Sequence, residues 1–294
     1  MRFFRIFASA SKSLLLAGLL GQAAATARAA GRTPPPFTVE PSTVTAGRTF
    51  SVVVKNRRPP PAARLRYDGN AARFYEIAPR TWRALMGVKP TDSGGVRIAT
   101  VTWRGKHAPI AIVRVVPGNY PVSRIRLAPA RDRLYTSGAV GRDAERVAAY
   151  YKEPGLTERR WNAAFLTPST GVITTVFGAR RQYGDRPATS PHSGTDIANK
   201  AGTPIVAPAA ARVVFAEWLE SFGHTVLLDH GQGVFTYYIH MKERLVQKGQ
   251  EVQTAQPIGR MGAEGVATGP HLHWSMVVSG EKVDPFEWTE RFVP

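Results

Sequence analysis

The chain has 294 residues, 43% of them apolar, a length that favours two domains and supplies material for more than one packed core. It carries a formal net charge of +18 and has no cysteine. Disulfide staples, thiolate metal ligands and thiol nucleophiles are thereby excluded, and any metal must be held by nitrogen and oxygen.

Arg2, Arg5 and Lys12 precede a short apolar run, Leu14 to Leu20, and small residues follow through Ala30. Ala25-Thr26-Ala27 and Ala27-Arg28-Ala29 each fit an A-x-A cleavage site. The run is well short of the roughly 20 residues that span a bilayer. Residues 1–30 are therefore expected to be a cleaved signal peptide, and no later stretch is apolar enough to span. The mature chain is expected to be exported, to a periplasm or to the cell surface, without a transmembrane segment. There its positive charge would steer it towards anionic cell-wall polymers, with no role for nucleic acid.

Arg32-Thr33-Pro34-Pro35-Pro36 reads as a stiff linker. Over residues 37–127 short strands alternate with turn residues. Phe50, Val52 and Val54 alternate towards one face, and the nearly continuous β-branched run Ile110 to Val116 predicts a strand buried on both sides. An immunoglobulin-like β-sandwich is the expected outcome, with Trp82 and Trp103 in its core and His107 in a loop. Residues 128–168 predict a helical connector. Asp143 is the expected cap of a helix carrying Val147, Tyr150 and Tyr151 and ending at Pro154-Gly155, and Glu158 to Phe165 predicts a second helical turn. Over residues 169–294 the strand pattern returns: Val172–Phe177, Arg212–Ala216, Thr225–Leu228, Val234–Tyr238 and His271–Val278. The fold class is thus mostly β, with a C-terminal antiparallel domain.

Six of the seven histidines lie between residues 192 and 273. In His271-Leu272-His273 the two imidazoles point the same way on a strand, together with Ser275, while Leu272, Trp274, Met276 and Val278 form the opposite, apolar face. His192 and Asp196 are four apart, and Ser193-Gly194-Thr195 between them favours a loop leading into a strand over a helix. His192, Asp196 and one histidine of the His271/His273 pair would give a metal three protein ligands and leave a fourth position for water. The other histidine of the pair, with His240, would then move protons or stabilise an oxyanion. His230, in a turn-like context, is expected near the site, and His224 carries no motif of comparable weight.

The chain resembles the M23 family of zinc metallopeptidases, the lysostaphin and LytM-like endopeptidases of peptidoglycan, over about residues 170–290. The resemblance rests on Val176-Phe-Gly178, Ser190-Pro-His-Ser-Gly-Thr-Asp-Ile-Ala198, Gly202-Thr-Pro-Ile-Val-Ala-Pro208, Tyr238-Ile-His240, Thr268-Gly-Pro-His-Leu-His273 and Val283-Asp-Pro285. It implies that His192, Asp196 and His273 are the zinc ligands, that His271 activates the water, and that His240 is the second catalytic histidine. It also implies a LytM-like antiparallel β-domain with a groove over Zn2+, acting on peptide cross-links of peptidoglycan. Two other activities fit such a resemblance, a regulatory module that activates a cell-wall amidase and a zinc peptidase of non-wall peptides. The filled ligand set speaks for hydrolysis. Where the family commonly has leucine, threonine and glycine, this chain has Met241, Glu264, Ala211 and Ala255. The two alanines are expected to avoid positive φ, or to sit in turns of different shape.

Overall fold

The structure, a computed structural model, describes residues 37–103, 106–152, 155–188 and 190–293. The expected signal peptide and proline linker lie outside the described residues. Among those residues no helix is long and apolar enough to cross a membrane.

The chain first forms nine strands: β1 (Phe37–Glu40), β2 (Thr43–Thr45), β3 (Thr49–Lys55), β4 (Arg64–Tyr67), β5 (Asn70–Arg73), β6 (Tyr75–Ala78), β7 (Thr81–Gly87), β8 (Gly95–Trp103) and β9 (Lys106–Val116). They pair as two sheets, β1-β3-β7-β6 and β2-β9-β8-β4-β5. Phe50, Val52, Leu65, Met86, Val101 and Val113 fill the space between the sheets. The alternation in β3 therefore aims as the sequence predicts, and Trp82 is buried.

Two expectations fail here. β9 is not buried on both sides: Ala111, Val113 and Val115 face the core, while Ile112 and Val116 are exposed. The run is interrupted by Arg114, which lies on the same exposed face as Ile112 and Val116, and a nearly continuous β-branched run cannot by itself distinguish a two-sided strand from a one-sided one. His107 belongs to β9, opposite Thr102, and not to a loop.

The outer face of the first sheet is buried as well, because it packs on the C-terminal domain. Leu85 joins Val234, Met276, Val278, Val283 and Trp288 in one cluster. The Thr49 amide donates to the Glu287 carboxylate at 2.8 Å, and Ser279 Oγ donates to the Leu85 carbonyl at 2.8 Å.

Beyond β9 the chain forms β10 (Val122–Ile125), and the connector then contributes helices α1 (Pro129–Thr136) and α2 (Ala139–Lys152). Val140, Ala144, Val147 and Tyr151, spaced as one helical face, pack on Phe215, Leu219, Phe235 and Tyr237. α2 begins four residues before Asp143, whose carboxylate reaches instead to Ser221. No helix forms over residues 158–165. Trp161 and Phe165 are drawn into an aromatic cluster with Trp288, and packing prevails over local helix preference.

The C-terminal domain runs β11 (Val172–Thr175), β12 (Arg180–Tyr183), β13 (Ser190–Pro191), β14 (Thr195–Ala198), β15 (Pro204–Val206), β16 (Ala211–Leu219), β17 (Gly223–Gly231), β18 (Val234–Arg244), β19 (Glu251–Val252), β20 (Pro257–Met261), β21 (His271–Val278), β22 (Glu281–Val283) and α3 (Glu287–Glu290). Its main sheet has the order β11-β14-β21-β18-β17-β16-β19. β12 lies apart, parallel to β10 and antiparallel to β13. Of the two outcomes expected for the alanines, avoidance of positive φ holds for Ala211, within β16, but not for Ala255, whose φ is 64°.

Candidate metal centre and groove

Three neighbouring strands assemble the site. β21 lies between β14 and β18, with Asp196 directly opposite His273 and Ala198 opposite His271. Ile239 of β18 is the partner of His273 on the other side. Leu272, Trp274, Met276 and Val278 are fully buried, so the period-2 pattern turns His271, His273 and Ser275 to the opposite face. Gly194 makes the close approach possible: a Cβ there would lie 2.4 Å from the Trp274 carbonyl oxygen and 2.8 Å from His273 Nε2.

His192, Asp196 and His273 converge. His192 Nε2 lies 2.8 Å from His273 Nδ1 and 3.1 Å from Asp196 Oδ1, and the latter two atoms are 2.9 Å apart. Hydrogen bonds from neighbouring groups fix these orientations. His192 Nδ1–H donates to the Val176 carbonyl at 3.0 Å, which leaves a lone pair on Nε2. Ser275 Oγ lies 2.9 Å from His273 Nε2 and can accept its proton, freeing Nδ1 as a ligand. Burial lowers the His192 pKa and pushes that of His273 down to about 3, so both rings are neutral at neutral pH. Burial alone would raise the Asp196 pKa, but the neighbouring His192, His273 and Arg181 side chains outweigh it and hold the carboxyl well below the ordinary carboxylate value. Two imidazole lone pairs and one carboxylate within about 3 Å repel one another unless a cation is shared, and this donor set fits a divalent ion with nitrogen and oxygen preference. Among the described residues these three form the cluster able to hold a metal.

His240 and His271 stand beside the cluster with ring centroids 4.7 Å apart. An extra residue bulges β18 against β17 between Tyr238 and Met241, and His240 there has φ 63°. Such a bulge re-aims a side chain. The His240 amide donates to the Phe222 carbonyl at 2.7 Å, and its Nδ1–H donates to the Glu264 carbonyl at 2.7 Å. Burial, with the nearby His271 and His273, holds its pKa well below the ordinary value. His271 Nδ1–H donates to the Gly269 carbonyl at 2.8 Å, and its Nε2 lies 3.9 Å from Asp196 Oδ1. With 13% side-chain exposure it is the most open of the five.

The cluster opens into a groove of about 450 Å³ whose walls include Ser123, Ile125, Thr175, Arg181, Asp196 and His271. The connector spans its two sides. Arg131 donates to the Ala263 carbonyl at 3.2 Å, while Asp132 accepts two hydrogen bonds from Arg186, 2.7 and 2.8 Å long. Arg181, which no motif singled out, donates to Asp196 Oδ2 at 2.5 Å.

His230 is not a turn residue beside the site. It lies in β17, fully buried, with Nδ1–H donating to the Ala210 carbonyl at 2.9 Å and Nε2 accepting from Thr236 Oγ1 at 2.8 Å. Glu264 accepts from Trp218 Nε1 at 3.1 Å, whereas Met241 is simply buried.

The sequence model of Peptidase family M23 matches residues 190–285. The peptidoglycan DD-endopeptidase ShyA of Vibrio cholerae is 35% identical over 135 residues, covering 46% of this chain and 31% of that protein. The murein hydrolase activator EnvC of Escherichia coli is 34% identical over 98 residues, 33% of this chain and 23% of that protein. The chain spans about a third of the length of the curated relatives it matches first. A crystal structure from Pseudomonas aeruginosa, described as peptidase M23, aligns with a TM-score of 0.62 at 27% identity, covering 83% of this chain and 94% of that one. The matched residues contain the whole His192–Asp196–His273 cluster, together with His240 and His271, and the C-terminal domain of this chain is a peptidase family M23 domain.

Proposed function

We propose that the protein is a zinc-dependent endopeptidase that hydrolyses peptide cross-links of peptidoglycan, acting as an exported protein in the periplasm or at the cell wall. The observation that carries this reading is the buried three-donor cluster of His192, Asp196 and His273, open on the side of a groove that His271 lines. Zinc held there would supply Lewis acidity and an acidified water. His271 is the proposed general base. Its Nδ1 is committed to Gly269, so Nε2 is the nitrogen free to take a proton. His240, its own Nδ1 committed to Glu264, presents Nε2 in the same way and is proposed to donate a proton or steady the developing oxyanion.

The likeness to ShyA supports peptidoglycan as substrate, and the net charge of +18 suits an anionic wall. The two-sheet pairing order supports reading residues 37–127 as an immunoglobulin-like sandwich, with residues 128–168 as connector and 169–294 as the peptidase unit. The likeness to EnvC favours a second reading, activation of a cell-wall amidase.

One experiment separates the two. Zinc-loaded protein is incubated with defined peptidoglycan, and the released muropeptides are analysed by mass spectrometry. New free amines with the native protein, and none with His271→Ala, are the expected result. No new amine from any peptidoglycan type, together with stimulation of an added amidase, would transfer the assignment to the regulatory reading.

A further inference from the structure

We infer that Arg181 is a built-in cation that competes with the metal for the His192–Asp196–His273 cluster, so that loading requires its guanidinium to leave His192. The inference rests on the reading of that cluster as a metal site. Arg181 Nη2 lies 2.6 Å from His192 Nε2 and 2.5 Å from Asp196 Oδ2. Its remaining described hydrogen bond runs from Nη1 to Tyr183 Oη at 3.2 Å, and Nε is buried without a partner. The side chain is 19% exposed, at the edge of the groove.

A guanidinium has no acceptor and keeps its charge at every relevant pH. Its N–H must therefore donate to His192 Nε2, the nitrogen whose single lone pair is available because Nδ1 donates to Val176. That lone pair cannot serve an N–H and a metal ion together. Asp196 is not contested in the same way. Oδ1 faces the two histidines and Oδ2 faces Arg181, so the carboxylate can hold both cations, one on each oxygen. The metal-free cluster is thus neutralised by a positive charge of the chain's own. A divalent ion entering must detach that charge from His192 and endure it nearby.

The position of Arg181 is built by the fold. Its residue pairs with Ser123 of β10 and Ser190 of β13, so strands on both sides fix the backbone. The same strand is fastened to α1 by the Tyr135–Tyr183 ring pair, centroids 4.1 Å apart. Only the side chain is left free to move, and the groove it lines gives it somewhere to go.

Zinc affinity of the metal-free full chain, measured by titration against a chromogenic chelator, tests this inference. Arg181→Met and Arg181→Gln are each expected to bind zinc at least tenfold more tightly than the native protein. Each should also lower the melting temperature without zinc and widen the shift that zinc produces. Zinc binding equal to or weaker than native in both variants would overturn the competition. Absence of zinc binding in native protein and variants alike would overturn the metal reading itself. Arg181→Gln retains a polar side chain, so it reports even where Arg181→Met fails to fold.

Discussion

Asp143 on α2 accepts two hydrogen bonds from Ser221, one from its amide at 2.8 Å and one from its hydroxyl at 2.7 Å. Both residues are buried, and they join the connector to the β16–β17 turn. The next carbonyl in that turn, Phe222, accepts the His240 amide at 2.7 Å, and the Ser221 carbonyl accepts from Val266 at 2.8 Å. The aim of His240 thus depends on a helix outside the sheet that carries the His192–Asp196–His273 cluster. Asp143→Ala leaves two buried donors unpaired and is expected to destabilise the chain by about 3 kcal/mol in urea unfolding. Turnover by the folded fraction should fall by up to about 100-fold, with zinc affinity retained. Native turnover in this variant would show that His240 is held independently of α2.

Ser275 is placed to act on the proposed metal ion without touching it. Its hydroxyl lies 2.9 Å from His273 Nε2. Ser275→Ala is expected to weaken zinc binding about 10- to 100-fold while the melting temperature of the metal-free protein changes little. Ser275→Thr should retain most of the affinity. Equal affinity in native and alanine proteins would mean that His273 is oriented by packing alone.

Ala255 has φ 64° in a turn whose amide donates to the Ala207 carbonyl at 2.9 Å. A Cβ in that region is strained, and glycine removes the strain at some entropic cost. Ala255→Gly is expected to stabilise the protein by about 0.5–1 kcal/mol. Denaturant titration checks this, and a loss of stability would indicate that Ala255 makes packing contacts worth more than the strain.

His230 makes stability depend on pH. Burial pushes its pKa down to about 4 from 6.5, so below pH 6.5 the unfolded chain takes up a proton that the folded chain refuses. This stabilisation is fully present above pH 6.5 and is lost as pH falls towards 4, about 3 kcal/mol in all. Unfolding curves at pH 7 and pH 4 should therefore diverge less for His230→Gln than for the native protein. Parallel behaviour of the two would remove His230 from the account.

What could be read from the sequence was what local periodicity encodes. The His271–Val278 strand was legible in the sequence, because polar and apolar side chains alternate along it from His271 to Met276, and the expected facing of His271, His273 and Ser275 follows. His192 and Asp196 were legible as a loop entering a strand because glycine and threonine between them disfavour a helix. The failures have long-range causes. Asp143 looks like a helix cap, but its partner is Ser221, 78 residues away. Arg181 gains its meaning only from the β10–β12–β13 pairing, which no local pattern announces. His230 sits among turn-forming residues, yet the partners that bury it come from three separate segments. α1 did carry a local signal, Pro129 at its first turn, and could have been foreseen from it.

The central claim is that one metal ion lies between His192, Asp196 and His273. Anomalous diffraction at the zinc absorption edge, from crystals of zinc-loaded protein, tests it most directly. The account predicts a single peak at roughly 2.0–2.2 Å from His192 Nε2, Asp196 Oδ1 and His273 Nδ1, with the Arg181 guanidinium withdrawn from His192. No peak there, or a peak between His240 and His271 instead, would contradict it.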